Sequence, residues 1–388
     1  MEASVYVHVP FCANGKCDYC DFYSVPLKPG DSRSGRFADV LLLEGERFFE
    51  TFRPDRVPTV FIGGGTPSVL GAGGIRKLLR GLSDLIARYS SSPPGEITIE
   101  ANPESADESF LGAIREGGVT RLSLGIQTFY GPSRRGVNRL GDESLLHPRL
   151  ALAAEYFPGA FSVDLISGLP FQNNDVLKSD IAGVLHYKPV HVSLYALTVK
   201  DDSPLAAPDQ DEADQLWING RDTLEKSGYS QYEVSNFCLD GKESLHNVRY
   251  WRMYNWFALG PAGSGTIIND TTGRGFRYTI PQDVDAWLGA GGCGFSRKLG
   301  PRTEELDRIT VIKESILMGF RYINGPDEDL FRRRFHVGID ELIPKTINAW
   351  RDRAFMQKDK LALTREGLLF LDRFLLDAFQ DLDAVITS

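Results

Sequence analysis

The chain is poor in cysteine, has no long hydrophobic run and carries no excess of basic residues. Its five cysteines among 388 residues are an odd number, and they do not make a disulfide framework. No apolar run approaches the roughly 20 residues that a membrane-spanning helix needs. The first ten residues lack the basic and apolar regions of a signal peptide. From these absences we expect a cytoplasmic protein with no transmembrane segment.

The net charge is -9 at neutral pH, because 52 acidic residues outnumber 43 basic ones. Proteins whose main partner is a nucleic acid usually carry a basic surface, so we expect no nucleic-acid partner. Hydrophobic residues make up 42% of the chain and charged residues 24%, which is typical of a globular protein. The length is sufficient for one large core and a second, smaller domain.

Three of the five cysteines lie close together, in the stretch "VHVPFCANGKCDYCDF". Cys12, Cys17 and Cys20 have the spacing C-x4-C-x2-C, and three thiolates on one short loop can bind one metal centre. Structural zinc normally needs a fourth ligand, and neither Cys238 nor Cys293 has a partner at ligand spacing. Three ligands therefore predict a centre with an open position, such as an iron–sulfur cubane. The alternative is three incidental buried thiols.

Apolar, β-branched runs alternate with helical patterns through the first half of the chain. Such alternation predicts a parallel sheet with helical crossovers over about residues 1–200. Six units are too few for the usual eight-fold barrel, so we predict an α/β fold with a partial (β/α)6 barrel. The predicted strands cover residues 3–9, 59–64, 96–101, 121–127, 160–167 and 191–199. The predicted helices cover residues 36–52, 74–89, 107–117, 143–157 and 174–187.

The last part of the chain has helical patterns of its own. A strongly amphipathic helix is predicted from about residue 303, and a short strand at 360–364 precedes the final helix. That order resembles a winged helix, although the acidic chain favours a docking or lid module over DNA binding. We predict a barrel over 1–215, an extension over 216–300 and a small winged-helix-like helical domain over 301–388.

Polar residues stand at or near the carboxyl ends of the predicted strands. These ends meet at one rim in α/β folds, where binding sites are built. The "GGGTP" stretch at 63–67 lacks the lysine and the length of a P-loop, but its glycines allow a ligand to approach the backbone. Each carboxylate alone could form a salt bridge at the barrel mouth. Together these residues predict a binding site: Gly64, Gly65, Thr66, Glu100, Gln127, Asp164 and Tyr195.

Several motifs together resemble one known family. They include "YVHVPFC", "CDYCDF", "FIGGGTPS", "IEANPES", "SLGIQTF", "VDLISGLPFQ" and "HNVRYW". These stretches are similar to the radical S-adenosylmethionine (SAM) superfamily and, more narrowly, to the oxygen-independent coproporphyrinogen III oxidase-like family. The resemblance implies that Cys12, Cys17 and Cys20 hold a [4Fe-4S] cluster and that SAM binds the fourth iron. The first cysteine gap is one residue longer than in the family, and a turn at Asn14–Gly15 would take up the extra residue.

The resemblance also implies which residues contact the cofactors. Residues of "GGGTP" would line the amino-acid end of SAM, and Tyr6 would pack beside the cluster. Arg139, in "VNRLGD", offers a planar fork suited to the carboxylate of SAM. The residues implied for cofactor binding are Tyr6, Gly64, Gly65, Thr66, Glu100, Gln127, Arg139, Asp164, Tyr195 and His246, with Cys12, Cys17 and Cys20 as metal ligands.

Two branches of the family differ near the third cysteine. The oxidases have a further cysteine two residues beyond it, whereas this chain has Phe22, as in the HemW-type heme chaperone branch. That branch also has an "HNxxYW" motif, which is associated with heme binding. The resemblance therefore implies His246 as a heme ligand, with Tyr250 and Trp251 beside the macrocycle. On the residues alone, a structural role for this motif, with Trp251 in the core, stays open.

We therefore expect a heme chaperone that binds a [4Fe-4S] cluster, SAM and heme and delivers heme to acceptor proteins. The alternative is an oxygen-independent coproporphyrinogen III oxidase, which would decarboxylate propionates by radical SAM chemistry. A third hypothesis is a cluster-bearing regulator that uses the winged-helix-like domain. The sequence leaves open whether the chain is an enzyme that cleaves SAM.

Overall fold

The structure of the protein, a computed structural model, describes residues 1–13, 15–28, 30–139, 141–200, 203–295 and 298–387. Asn14, half of the turn expected in the cysteine loop, lies outside these ranges. Its neighbour Gly15 has a φ of 86°, a conformation that glycine adopts without strain.

The parallel strands are apolar on one face and polar on the other. In the first strand Val5, Val7 and Val9 are fully buried against helices, while Tyr6 and His8 point to the opposite, inner face. This two-residue period is the signature of a strand between two different environments. The strands are β1 (Ser4–Val9), β2 (Phe11–Cys12), β3 (Val25–Pro26), β4 (Thr59–Gly64), β5 (Glu96–Ala101), β6 (Arg121–Gln127), β7 (Phe161–Ser167), β8 (His191–Ala196), β9 (Ser230–Gln231), β10 (Asn236–Cys238), β11 (Trp256–Leu259), β12 (Ser264–Asn269), β13 (Arg274–Thr279) and β14 (Arg302–Leu306).

Twelve of these strands form one sheet in the order β14-β13-β12-β11-β1-β4-β5-β6-β7-β8-β10-β9. The seven strands from β11 to β8 are parallel neighbours, and antiparallel strands extend the sheet at both ends. Strands β14 and β9 stand at the two ends of the order, so the sheet is an open, partial barrel. Strands β2 and β3 pair separately.

Amphipathic helices cover the outer, apolar face of the sheet. None of the helices in the described ranges has the length and apolar content that crossing a membrane requires. The helices are α1 (Ser32–Phe52), α2 (Gly71–Tyr89), α3 (Glu108–Glu116), α4 (Gly131–Gly136), α5 (Leu146–Tyr156), α6 (Asn174–Leu185), α7 (Gln210–Lys226), α8 (Leu245–Trp251), α9 (Val284–Ala290), α10 (Arg308–Gly319), α11 (Glu328–Phe335), α12 (Ile339–Leu342), α13 (Pro344–Asp352) and α14 (Leu371–Thr387), with 3-10 turns at Pro67–Leu70, Glu143–Leu145 and Gly367–Phe370.

The predicted partial barrel is confirmed. All six predicted strands are present as β1 and β4 to β8, and the five predicted helices are α1, α2, α3, α5 and α6. The helix predicted from about residue 303 is wrong at its start, because residues 302–306 form edge strand β14 and the helix begins at Arg308. Pairing with β13 decides this segment, and the sequence pattern does not contain that long-range contact.

The chain from β14 onward has a second apolar core. Trp350, Phe374 and Phe320 pack together there, with ring centroids 5.1 Å and 4.4 Å apart along the series. The strand expected at 360–364 is reduced to one antiparallel bridge between Met356 and Leu363, which lies between α13 and α14. Four helices, α10 to α13, precede this bridge and α14 follows it, and the winged-helix-like arrangement stays a prediction. The three domain boundaries stay predictions, and that at residue 215 falls within α7.

Helix α8 closes the amino-terminal end of the barrel. Its first amides donate to the Glu96 carboxylate, from His246 at 3.0 Å and from Leu245 at 3.2 Å. Glu96 also accepts from Arg121 Nε at 3.0 Å, so a buried ion pair holds the helix start. Ser244 caps the start of α8 locally, because its side chain accepts from the Asn247 amide. The sequence pattern did not predict this helix, because its seven residues carry little periodicity and the Glu96 carboxylate that accepts from its first amides lies on a distant strand.

A buried carboxylate ties α1 to the antiparallel extension of the sheet. Glu44 Oε1 accepts from the Gly260 amide at 2.6 Å, and Oε2 accepts from the Cys293 amide at 2.6 Å and from Trp287 Nε1. Burial raises the pKa of Glu44 to about 7 despite these three donors. One side chain therefore joins α1 to the turn after β11 and to the segment after α9.

Replacing Glu44 with Gln should destabilise the fold by about 1–3 kcal/mol, because the amide nitrogen turns one buried acceptor into a donor that faces another donor. Urea unfolding at neutral pH measures this change. The matched control is Glu50→Gln on the exposed face of the same helix. Equal stability of the two variants would remove Glu44 from the contacts that support the fold.

Candidate functional site

A pocket of about 420 Å³ opens at the carboxyl ends of the parallel strands. It lies where the rim residues of the sequence were expected to meet. Eleven of the thirteen site residues predicted from the sequence line it: Cys12, Cys17, Cys20, Gly64, Gly65, Thr66, Glu100, Gln127, Arg139, Asp164 and Tyr195. Of the predicted residues, Tyr6 and His246 lie elsewhere.

The cysteine loop folds back on itself at the pocket wall. Cys12 ends β2, whose pairing with β3 brings the chain back after the third cysteine. The Cys20 amide donates to the Cys17 carbonyl at 3.0 Å, which makes a tight turn between those two ligands. The Asp18 amide donates to the Val137 carbonyl at 3.1 Å and anchors this turn to the residues after α4. All three thiols are partly exposed to the pocket.

The three thiols fit an iron–sulfur cluster better than a single ion. Among the described residues, no three Cys, His, Asp or Glu side chains are gathered at the spacing of one metal ion. The cysteines of a cubane bind different irons, so their sulfurs do not need to meet at one atom. Donors from Thr66 and Arg139 face two of the sulfurs, which suits thiolate ligands.

The middle of "GGGTP" must be glycine at residue 65, because the backbone of β2, the strand that ends at Cys12, passes very close to it. A Cβ at Gly65 would lie 2.5 Å from the carbonyl oxygen of Phe11, a contact that backbone atoms cannot relieve. The Gly65 amide donates to the Val9 carbonyl at 2.8 Å, and the Thr66 amide donates to the Phe11 carbonyl at 2.7 Å. The turn after β4 therefore continues the pairing with β1 as far as the residue before Cys12.

Gln127 reaches the pocket from a strained position. Its φ is 69°, unusual for a residue with a side chain, and it lies at a register irregularity between β6 and β7. Arg134 holds this bend, because its Nη1 donates to the carbonyls of Ile126 at 3.0 Å and Thr128 at 3.2 Å. Strained conformations of this kind persist where neighbouring groups fix them, often at functional sites. No motif or periodicity in the sequence pointed to Arg134.

Two carboxyl groups face the pocket from the inner face of the sheet. Burial, followed by the nearby charge of Asp164, raises the pKa of Glu100 to about 8. Burial also raises the pKa of Asp164 to about 6, although Ser123 donates a hydrogen bond to it. Binding of a cation would offset the cost of ionising two buried, neighbouring carboxyls, because each carboxylate then gains a partner of opposite charge. The arrangement therefore suits a ligand with an ammonium or sulfonium group.

Arg139 is buried and faces the cysteine loop. Its Nη2 donates to the Gly125 carbonyl at 2.7 Å and to Asn102 Oδ1 at 3.1 Å, and Nη1 lies 3.9 Å from the Cys17 sulfur. Nε is buried and has no hydrogen-bond partner among the described residues. The neighbouring Asn102, which sequence reasoning missed, therefore belongs to the site.

Tyr6 lies on the inner face of β1, outside the residues that line the pocket. Its hydroxyl is 3.0 Å from His8 Nδ1, and its ring stacks on Phe61 with centroids 6.2 Å apart. His8 Nε2 in turn is 2.8 Å from the Tyr23 carbonyl, in the segment that follows the cysteines. Tyr6 therefore supports the base of the cysteine loop through His8, and packing of Tyr6 beside a cluster stays a prediction.

His246 is at the opposite end of the barrel from the pocket. It is 1% exposed, its Nδ1 is 2.8 Å from Thr59 Oγ1, and its ring packs against Phe61 and Tyr250. Nε2 is buried without a partner among the described residues. With α8 docked, the residues around His246 do not fit a heme, because no face of the imidazole is open. Heme ligation by His246 stays a prediction of the resemblance.

The rest of "HNVRYW" is also engaged in contacts. Arg249 Nε donates to Ser4 Oγ at 2.7 Å and Nη1 pairs with Glu2, whereas Nη2 is buried without a partner among the described residues. Trp251 packs beside Tyr322 of the carboxyl-terminal part, and Arg321 stacks over the indole at 4.9 Å. These contacts are those expected of a structural motif that joins the barrel to the helices after it.

Comparison with known proteins agrees with the geometry. The model of the radical SAM superfamily matches residues 6–181. The chain is 28% identical to the heme chaperone HemW of Lactococcus lactis, over 96% of this chain and 97% of that protein. It is 32% identical to the mitochondrial radical S-adenosyl methionine domain-containing protein 1 of Bos taurus, over 96% and 83%.

Among solved structures, coproporphyrinogen III oxidase (HemN) from Escherichia coli, a radical SAM enzyme, superposes with a TM-score of 0.77. The match covers 97% of this chain and 89% of that chain at 20% identity, so it supports the fold alone.

The raised pKa of Glu100 predicts how stability depends on pH. The folded pKa of about 8 lies above the ordinary 4.5, so this group favours the folded state below about pH 4.5. The contribution is lost as the pH rises to about 8. In the metal-free protein, Glu100→Gln should therefore lose less stability than the parent between pH 5 and pH 9 in urea unfolding.

Glu155→Gln, an exposed position on α5, serves as the control and should follow the parent. Identical pH dependence in the parent and in Glu100→Gln would show that the carboxyl is not held in a desolvated pocket.

Proposed function

The chain belongs to the radical SAM superfamily, on the branch of the HemW heme chaperones, and we propose that it is a heme chaperone of the radical SAM type. It would bind a [4Fe-4S] cluster and SAM in the pocket, bind heme, and deliver heme to an acceptor protein. The observation that supports this most is the meeting of three cysteines, "GGGTP" and two carboxyl groups in one pocket.

Cys12, Cys17 and Cys20 would hold the cluster at the pocket wall. When bound, the cluster would supply the electron that SAM cleavage needs. Glu100 and Asp164 would orient the positively charged groups of SAM, because both carboxyls face the pocket and burial raises the pKa of each. The strained bend at residue 127 would direct a side-chain amide toward the same ligand.

The alternative function is an oxygen-independent coproporphyrinogen III oxidase. The TM-score of 0.77 with the Escherichia coli oxidase favours it at the level of fold. Phe22 counts against it, since this side chain is 53% exposed at the pocket, where the oxidases have a further cysteine. Incubation with coproporphyrinogen III and SAM under reducing, anaerobic conditions distinguishes the two. Release of carbon dioxide would assign the chain the oxidase function in place of the chaperone function.

The cluster prediction is tested by anaerobic reconstitution. The parent should bind about four irons per chain and show a broad charge-transfer absorption. Replacing Cys12, Cys17 or Cys20 with Ala should abolish both, since each removes one of three ligands. The matched control is Cys238→Ala, a buried thiol away from the pocket. If the control lost its cluster to the same extent, the three-ligand assignment would fail.

Heme binding is tested by titration followed at the Soret band. If His246 is a ligand, α8 must leave its position, and weakening its cap should speed binding. We therefore expect Glu96→Gln, which removes the negative charge and one of the two oxygens that accept from the first α8 amides, to accelerate formation of the histidine-type band. His246→Ala should abolish that band while circular dichroism shows the fold intact.

Glu104→Gln, which removes the carboxylate that pairs with Arg134 near the pocket, controls for loss of an ion pair. Equal rates of Soret-band formation in Glu96→Gln and the parent, or an unchanged band in His246→Ala, would give "HNVRYW" a structural role only. Heme would then bind at another site.

A further inference from the structure

A chain of hydrogen bonds joins the sulfurs of two cluster cysteines through three side chains. Thr66 Oγ1 lies 3.5 Å from the Cys12 sulfur and accepts from Asn102 Nδ2 at 3.0 Å. Asn102 Oδ1 accepts from Arg139 Nη2 at 3.1 Å, and Arg139 Nη1 lies 3.9 Å from the Cys17 sulfur. Asn102 is the central member, and both of its amide atoms are used.

Chemistry fixes the direction of every bond in this chain once Cys12 is a cluster thiolate, because a thiolate can only accept. Arginine has donors only, so the atom of Asn102 that faces Arg139 must be the carbonyl oxygen. The amide nitrogen then faces Thr66 and donates to its hydroxyl oxygen. The hydroxyl proton of Thr66 is left to point at the Cys12 sulfur. Both sulfurs therefore receive a donor, one neutral and one cationic.

The donors are held rigidly. Thr66 is 2% exposed, and its amide donates to the Phe11 carbonyl at 2.7 Å. Arg139 is 8% exposed and keeps a second anchor at the Gly125 carbonyl, 2.7 Å away. The Asn102 amide lies at the start of the turn after β5, 3.4 Å from the Ser68 hydroxyl. Groups positioned in this way act without reorganising when a charge changes beside them.

We propose that Asn102 is a positioning residue for the cluster, which holds Thr66 and Arg139 as donors to two of the three ligand sulfurs and thereby raises the reduction potential. The proposal rests on the proposed function, because it requires a [4Fe-4S] cluster on these cysteines. Reduction adds one electron and one negative charge to the cluster. Hydrogen bonds to sulfur stabilise that extra charge and make the potential less negative.

A second role for the same residues is contact with SAM, since Asn102 and Arg139 also line the pocket. The two roles differ in what they change. Donors to the sulfurs act on the potential when no SAM is present, whereas ligand contacts act on the affinity for SAM at an unchanged potential. Both quantities can be measured on the same reconstituted protein.

The experiment is an anaerobic redox titration with dithionite, followed by electron paramagnetic resonance, without SAM. Asn102→Ala and Thr66→Val should both shift the midpoint potential to more negative values. Asn102→Asp should shift the potential further than Asn102→Ala. The carboxylate would accept the hydrogen bond of the Thr66 hydroxyl, which then no longer donates to the Cys12 sulfur, and it would add a negative charge near the cluster. Thr66→Ser should restore the parent potential, since it keeps the hydroxyl.

Ser105→Ala is the matched control, because the Ser105 hydroxyl lines the pocket and contacts Ser68 and the backbone carbonyl of Asn102, but not the side chains of Thr66, Asn102 or Arg139. It should keep the parent potential. In a double-mutant cycle, Thr66→Val should add little shift to Asn102→Ala, since the alanine has already released Thr66. Fully additive shifts would mean that Thr66 and Asn102 act separately, and they would overturn the proposal that Asn102 acts by holding Thr66.

The outcomes separate this proposal from the proposed function. A parent chain that binds no iron refutes the cluster itself. A parent with a normal cluster and Asn102 variants with unchanged potential refutes the positioning role of Asn102 alone, and a fall in SAM affinity there would assign Asn102 to the ligand. If the Asn102 variants do not assemble a cluster, Thr66→Val, which leaves Asn102 and Arg139 in contact, carries the test by the same titration.

Discussion

The structure depends on the burial of polar side chains along the inner face of the parallel sheet. The outward residues of each strand form the apolar core with the helices, so the inward residues enclose a polar lumen, lined by Tyr6, Thr98, Glu100, Ser123 and Asp164. Buried polar groups are costly unless they are paired or meet a ligand. The two ends of the lumen meet this requirement in different ways.

At the amino-terminal end, the protein supplies the partners itself. The Glu96–Arg121 ion pair is completed by the start of α8, because one carboxylate accepts from the arginine and from two backbone amides. A buried ion pair is stable only when such further hydrogen bonds are made. This end is therefore closed.

At the carboxyl-terminal end, burial raises the pKa values of two carboxyls, although the charge of Arg139 acts in the opposite direction on Asp164. That end opens into the pocket, and the carboxyl groups there suit a ligand that carries positive charge. The polar inner face of the sheet therefore accounts both for the closed amino-terminal end, covered by α8, and for the open pocket at the carboxyl-terminal end.

The sequence predicted well the parts of the fold that depend on local pattern. Strands β4, β5 and β6 are found at the predicted residues, because apolar alternation and flanking turns are local signals. The rim residues were also predicted, since a carboxylate such as Glu100 in an apolar strand stands out in the sequence.

What the sequence could not reveal depends on contacts between distant segments. The first amides of helix α8 donate to Glu96, which lies 150 residues before His246, and β14 forms by pairing with β13. Asn102 and Arg134 were missed for the same reason. An asparagine after a strand is usually a turn residue, and only the fold brings it between Thr66 and Arg139. Sequence reasoning finds the ligands of a site more readily than the residues that orient them.

The two ends of the lumen are separated by the length of a strand. Six residues of β1 at ~3.3 Å each place the base of the cysteine loop about 20 Å from Ser4, beside which α8 is docked. A radical formed from SAM abstracts hydrogen from atoms in contact with it. Any group bound at His246 would lie beyond that reach, with Tyr6 and Phe61 between. A porphyrin processed by radical chemistry must therefore enter the open pocket, whereas a heme that is only carried has no need to approach the cysteines.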